Sequence, residues 1–274
     1  MSLIKIDESR CKKEGFCVQE CPAAIIRQRD KDSFPVMISR GERDCLVCGH
    51  CVAVCPHDAL DHLKVPQKDS PPILKKHTVN REQAVQFLRS RRSIRRFKNK
   101  PVEKEMIQFL IDTARYAPTG SNSQLIAWTI HTDEKKIKRI ADLTIDSLRE
   151  GLKSDKNYGL ASYLPLMIRA YEAGINIVTH GAPCIIFAST PDSYDNGLVD
   201  VSIALSYLEL AAVSAGLGTC WLGLIKQALQ DHELLREIVG LPENHSHFYP
   251  LIMGYPKFKY HRLPERNPAL IFWK

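Results

Sequence analysis

Apolar positions along the chain fall into two regimes. After residue 80 they recur at helical spacing or in short unbroken runs; before residue 65 they form only short β-like runs broken by turns. Residues 102–116 place Ile107, Leu110, Ile111 and Ala114 on one helical face, and residues 133–150 do the same with Ile137, Ile140 and Leu148. The stretch 198–215 is apolar almost all round, with Val201, Ile203, Ala204, Leu205, Leu208, Leu210, Ala211 and Ala212. Such a helix is buried centrally or at a subunit contact. Asn80 followed by Gln83 predicts a capped helix start running through Phe87 and Leu88. Residues 125–131, 184–189 and 249–255 read as strands, and 269–273 as a last extended segment. Strands separated by helices predict a mixed α/β sheet, and this part holds no internal repeat.

Residues 65–80 carry Pro66, Pro71 and Pro72 among scattered charges, which predicts a stiff extended linker. The expected organisation is a small unit at 1–64, the linker at 65–80 and a larger domain at 81–274. The small unit has too little core to fold strongly alone and would lean on metal. Of 274 residues, 44% are hydrophobic and 25% charged, which excludes disordered, collagen-like and coiled-coil chains. No run approaches ~18 apolar residues, so no membrane span is expected. Met1 to Arg10 is charged and lacks an apolar signal core, so the cytoplasm is the expected location. The net charge is +7, yet residues 1–64 hold ten basic and ten acidic side chains against 28 and 21 in the remainder. The excess therefore belongs to the larger domain, where it suits an anionic ligand without implying nucleic acid.

Seven of the nine cysteines lie between Cys11 and Cys55. A reducing compartment argues against disulfides, so the cluster reads as metal-binding. The second group is Cys45-x2-Cys48-x2-Cys51-x3-Cys55-Pro56. Three thiolates at that spacing can wrap one cubane, and the fourth, before proline, points to another cluster. Zinc sites more often pair two separated C-x2-C units. The first group, Cys11-x5-Cys17-x3-Cys21-Pro22, runs in register with the second, with Glu14 where the middle cysteine is expected. Together the groups resemble the bacterial two-cluster ferredoxins over roughly the first 64 residues. The resemblance implies that Cys45, Cys48, Cys51 and Cys21 hold a [4Fe–4S] cluster, while Cys11, Cys17 and Cys55 hold a second. A carboxylate is a harder and weaker iron ligand than a thiolate. The second site is then [3Fe–4S], or [4Fe–4S] with Glu14 as a non-cysteine ligand, or degenerate with Glu14 in solvent.

Beyond the linker comes Arg91-Arg92-Ser93-Ile94-Arg95-Arg96-Phe97. If it is extended, Arg91, Ser93 and Arg95 face one way, and the guanidinium fork suits a phosphate dianion. A solvated basic turn is the plain alternative. Ala117-Pro118-Thr119-Gly120-Ser121-Asn122-Ser123-Gln124 is a turn rich in small polar side chains. Gly216-Leu217-Gly218-Thr219-Cys220-Trp221-Leu222-Gly223 follows the apolar helix, and Arg262-Leu263-Pro264 closes the set. The glycines follow a helix rather than a strand and make no dinucleotide fingerprint. Cys184 and Cys220 read as buried thiols. His50, His57 and His180 show no ligand-like pairing.

In this order and spacing the four elements resemble the nitroreductase family of FMN-dependent flavoproteins, over about residues 81–274. The resemblance implies an α+β chain: a mixed-sheet nitroreductase-like α/β domain behind a small ferredoxin-type iron–sulfur domain. It implies FMN phosphate contacts from Arg91, Arg92, Ser93, Arg95 and Arg262, and ring contacts from Pro118, Thr119, Asn122 and Gln124. Backbone N–H groups of Trp221, Leu222 and Gly223 would face the flavin N5/O4 edge, where donors favour reduction. The family's frequent Gln-Pro-Trp is here Gln124-Leu125-Ile126, with Trp128 two positions later, which bears on the substrate pocket. The family forms intertwined homodimers. No catalytic side chain is singled out, because the cofactor carries the chemistry. The expected function is an oxidoreductase moving electrons from the clusters through FMN to a small organic acceptor: a nitroaromatic, quinone or activated alkene. An external electron donor fits that scheme; nucleic acid and membrane do not. The alternatives are an NAD(P)H-dependent flavin reductase whose clusters export electrons, and a non-catalytic carrier or redox sensor.

Overall fold

The computed structural model describes residues 2–153 and 163–274. The chain divides into two compact units, Met1–Val79 together with Gly120–Ser123, and Asn80–Thr119 together with Gln124–Lys274.

In the first unit β1 (Ile4–Ile6) pairs antiparallel with β4 (Leu60–His62), and β2 (Ile26–Arg27) with β3 (Val36–Met37). Three one-turn helices complete it: α1 (Phe16–Gln19), α2 (Gly41–Asp44) and α3 (His50–Ala53). Its core is small, built from Ile4, Ile25, Ile26, Val52, Leu60 and Cys17, with four further cysteines packed against it. The thiols are thus part of the core, as expected where metal supplies the stability.

The backbone repeats itself across the two cysteine groups. Lys13 and Val47, each two residues after the first cysteine of its group, both take the left-handed conformation, at φ 62° and 53°. Gly15 and Gly49 follow at 74° and 73°, then α1 and α3 begin. Ala24 and Asp58, three residues beyond Cys21 and Cys55, match at 51° and 48°. Glu14 therefore occupies the backbone position that Cys48 has in the other half.

Of residues 65–80, expected as a stiff extended linker, those up to Val79 count with the first unit. Val65 N–H donates to His62, and Gln67 N–H donates to Asp61 at 2.8 Å to start a 3-10 turn at Gln67–Asp69. From Pro71 to Asn80 every residue is exposed.

The second unit opens with α4 (Arg81–Ser90), whose capping box forms as the sequence predicts. Asn80 Oδ1 accepts from Gln83 N–H at 2.9 Å, and Gln83 Oε1 from Asn80 N–H at 3.0 Å. There follow α5 (Lys104–Ala114), β5 (Ala127–His131), α6 (Glu134–Lys153), α7 (Leu164–Glu172), β6 (Cys184–Thr190) and α8 (Gly197–Ser214). Then come β7 (Gly218–Trp221), α9 (Gly223–Asp231), α10 (Glu233–Val239) and β8 (His247–Gly254). The sheet order is β5-β6-β8-β7, and all three pairings are antiparallel. An isolated parallel bridge, Ser93 to Thr219, lies outside the named strands.

Every residue of β6 is buried, because helices cover both faces. Ile185 and Phe187 face a layer containing α6, α7, α9 and α10, while Ile186 and Ala188 face α5 and α8. By length and composition α8 could cross a membrane. Here Val201, Leu205 and Leu208 are buried in the layer that also holds β6 and β8 residues. The strand β7 escapes the sequence pattern: it has four residues, starts at glycine and follows a glycine turn. The segment 269–273 takes no regular secondary structure, and Leu270 through Trp273 are exposed.

Candidate cofactor sites

In the first unit Cys21, Cys45, Cys48 and Cys51 line one small cavity, walled otherwise by apolar groups such as Ile4, Ile26 and Met37. Burial pushes the Cys51 thiol up to about 11, and the neighbouring Cys48, Cys45 and Cys21 add to the shift. Iron ligation removes those protons. Cys17 is likewise raised by burial, with Cys55 and Cys11 as its charged neighbours. The thiols therefore sort into the two expected sets, one of four and one of three. Ala59 N–H donates to Cys55 Sγ at 3.3 Å, a contact that favours a thiolate.

Glu14 turns to His57: both carboxylate oxygens lie 3.1–3.2 Å from Nε2, with both side chains partly exposed. This is an ion-pair contact at the surface rather than a metal-ligand pairing, so His57 keeps its expected place outside the ligand set. His62 went unnoticed in the sequence because no cysteine spacing marks it. It is 2% exposed, its Nδ1 accepts the Lys64 and Val65 N–H groups at 3.1 Å each, and its Nε2 lies 3.6 Å from Cys45 Sγ. Burial, then Lys64, hold its pKa below the usual imidazole range.

Asn122 does not stay with the other expected ring contacts. Its amide N–H₂ donates to the carbonyls of Leu46 and Val47 at 3.0 and 3.1 Å, inside the Cys45–Cys48 loop. In the other half of the repeat Gln28 does the same for the Lys13 carbonyl, at 3.0 Å. Its amide hydrogens are therefore unavailable to a flavin. The cause is the left-handed turn at Ser121 and Asn122, φ 51° and 55°. Thr119 and Gln124 close the base of the turn, with Gln124 N–H donating to Thr119 Oγ1 at 3.1 Å, and Pro118 is exposed beside them.

In the second unit the arginine run is extended and stitched at both ends. Ile94 N–H donates to Thr219 O at 2.8 Å, and Lys98 N–H to Tyr255 O at 2.8 Å. The approach is close. A Cβ at Gly218 would stand 2.8 Å from the Ile94 Cβ, so only glycine fits there. Ile94 is buried while Arg95 is exposed. Burial raises the Cys220 thiol against the opposing influence of Arg95, a hydrogen bond with Ser93, and Arg91. All three members of the expected trio thus act on Cys220.

Its members differ. Arg91 pairs with Glu209 on α8 at 3.2 Å, and that carboxylate, 6% exposed, also accepts from Thr219 Oγ1 at 2.8 Å and Trp221 Nε1 at 3.3 Å. Arg92 folds back on the Arg89 and Arg91 carbonyls. Arg95 makes no ion pair among the described residues, which leaves its fork for an anion. Arg262 lies on the exposed C-terminal segment; three residues on, Glu265 pairs with Arg89 at the end of α4 at 3.1 Å.

Of the three N–H groups expected at the flavin edge, that of Leu222 donates instead to Pro250 O at 3.0 Å. Gly223 begins α9, so its N–H has no partner within the helix and remains suited to an anionic ring edge. Cys184 and Cys220 are buried, and burial raises Cys184 to about 12. The residues fit FMN: an exposed unpaired arginine, an extended hydroxyl-bearing run and a helix N-terminus.

The profile of the nitroreductase family matches residues 88–255, and that of a 4Fe-4S dicluster domain matches residues 9–60. The chain belongs to the nitroreductase family and is a nitroreductase-type FMN oxidoreductase with an N-terminal iron–sulfur domain. It is 31% identical over 156 residues to a 4-nitrobenzoate reductase of Pseudomonas putida, covering 48% of this chain and 68% of that one. It is 26% identical over 191 residues to an FMN reductase (NAD(P)H) of Bacillus subtilis, covering 67% and 71%. The fold is shared with the crystal structure of a nitroreductase with bound FMN from Bacteroides fragilis, at TM-score 0.57 and 19% identity, over 72% of this chain and all of that one.

Proposed function

We propose that electrons enter one at a time through the iron–sulfur clusters, pass to FMN and leave to a small organic acceptor: a nitroaromatic, quinone or activated alkene. The observation that carries this reading is the four-thiol cavity of Cys21, Cys45, Cys48 and Cys51 in a chain whose other unit has the FMN-binding fold. Bound FMN supplies the exchange between one-electron and two-electron chemistry. The chain's own residues hold and orient it: Arg95 and Ser93 at the phosphate, with Arg91 braced by Glu209, and Gly223 N–H at the ring edge. The named activity of the Pseudomonas putida relative supports a nitroaromatic acceptor.

The second cluster is a three-thiolate [3Fe–4S] centre, because Glu14, in the place of the fourth thiolate, is engaged with His57. The working form is a homodimer. Leu270, Phe272 and Trp273 are more than 80% exposed, and α4 buries none of its side chains, including Val85 and Leu88. A partner protomer would cover these faces. All nine cysteines are unpaired, which suits thiolate ligation in the cytoplasm.

The test is reduction of the flavin in full-length protein by external reduced ferredoxin. Cys48→Ser should slow it at least about tenfold while FMN content is retained. The FMN reductase activity of the Bacillus subtilis relative favours a second reading, in which NAD(P)H reduces the flavin and the clusters export electrons. That reading wins if NADPH reduces the flavin of wild type and Cys48→Ser equally fast while reduced ferredoxin fails to reduce the wild-type flavin.

A further inference from the structure

His62 lies on β4, paired with Ile4 of β1, and Leu63 N–H donates to Leu3 O just beyond it. The strand therefore fixes the ring's position. Its Nδ1 accepts two backbone N–H groups, from Lys64 and Val65, at 3.1 Å each. A neutral imidazole has one proton, and a nitrogen that accepts cannot carry it. The proton is on Nε2, which faces Cys45 Sγ at 3.6 Å, an ordinary length for a hydrogen bond to sulfur. At 2% exposure no water competes for it.

We propose that His62 is a positioning residue for the complete cluster: its Nε2–H donates to the Cys45 thiolate and raises that cluster's reduction potential. An added electron increases negative charge on the sulfurs, so a fixed donor stabilises the reduced form more than the oxidised one. The three-thiol set has a backbone donor instead, Ala59 N–H on Cys55 Sγ at 3.3 Å, and no imidazole hydrogen bond to Cys11, Cys17 or Cys55 occurs among the described residues, so removing the His62 donor acts on the four-thiol cluster alone. This inference rests on the two-cluster reading above.

The experiment is an EPR-monitored redox titration of anaerobically reconstituted full-length protein. His62→Leu removes the donor; His62→Gln keeps a side-chain N–H. His62→Leu should lower the reduced-to-oxidised ratio of the four-iron cluster about tenfold at fixed poise, equal to ~59 mV for one electron. His62→Gln should recover at least half of that shift, and the three-thiolate cluster should not move in either. An unmoved four-iron midpoint in His62→Leu, or an equal fall in both variants, overturns the proposal, the latter by assigning the effect to packing. If His62→Leu fails to hold iron, ENDOR on wild-type protein labelled with 15N-histidine decides: a histidine nitrogen and an exchangeable proton coupled to the four-iron cluster support the hydrogen bond, and their absence overturns it. A wild-type chain without a four-iron signal defeats the cluster reading and this inference together, whereas a normal signal with an unmoved midpoint defeats this inference alone.

Discussion

Arg91 donates to the Glu209 carboxylate at 3.2 Å, joining the start of the arginine run to the middle of α8. The pair is largely buried, and Thr219 and Trp221 complete the carboxylate's hydrogen bonds. Breaking one partner of such a pair leaves a buried charge uncompensated. Glu209→Ala and Arg91→Ala should each cost about 2–4 kcal/mol of stability in flavin-free protein, read by chemical denaturation. A loss in Arg91→Ala under about 0.5 kcal/mol would show that the pair contributes nothing to the fold.

Arg95 should behave differently. It is exposed and makes no ion pair among the described residues, so Arg95→Ala should leave flavin-free stability nearly unchanged. FMN binding should weaken by roughly 1.5–3 kcal/mol, about ten- to hundredfold, while riboflavin binding holds. Arg262→Ala should show the same selectivity. Titration of both flavins into both variants checks this, and equal weakening of the two would assign either arginine to the ring or the fold instead.

Burial, then Arg95 and Arg96, lower the His180 pKa from 6.5 to about 4. An unfolded chain takes up this proton near pH 6.5, and the folded chain resists until about 4. Stability should therefore fall as pH drops through that window and level off below it, by at most about 3 kcal/mol from this group. His180→Asn, which tolerates the local φ of 55°, should flatten the slope of stability against pH between 6.5 and 4. An unchanged slope would remove His180 from the acid sensitivity.

Glu14→Cys restores a thiolate at the backbone position equivalent to Cys48. Iron content should rise from about seven to about eight per chain, and the [3Fe–4S] EPR signal should give way to a second [4Fe–4S] signal. Persistence of the three-iron signal at full reconstitution would show that the Glu14 corner is not the vacant one.

Much of this was legible from residue spacing. The Asn80–Gln83 capping box and the inward faces of α5 and α6 follow from local pattern, the two thiol sets from the ferredoxin resemblance, and the structure agrees with them. Long-range relations were harder. β7 is an edge strand too short and too glycine-rich to alternate. His62 meets Cys45 only because β4 pairs with β1, which no local spacing announces. Glu209 did leave a trace, a carboxylate set among Leu205, Leu208 and Ala212 on a mostly apolar helix, a sign of a buried polar partner. The Leu222 N–H, expected at a flavin, is engaged by Pro250 because that pairing depends on strand register.

The hydrogen bonds of Asn122 mean that the iron–sulfur unit is discontinuous in sequence. Excision at the proline-rich segment would yield a fragment containing all seven clustered cysteines yet missing the amide that satisfies Leu46 and Val47. Those carbonyls would then rely on water at a β-branched residue already held at φ 53°. Fragment design, domain swapping with free ferredoxins and proteolytic mapping all meet the same boundary: the module ends not at residue 79 but with four residues borrowed from position 120 onward.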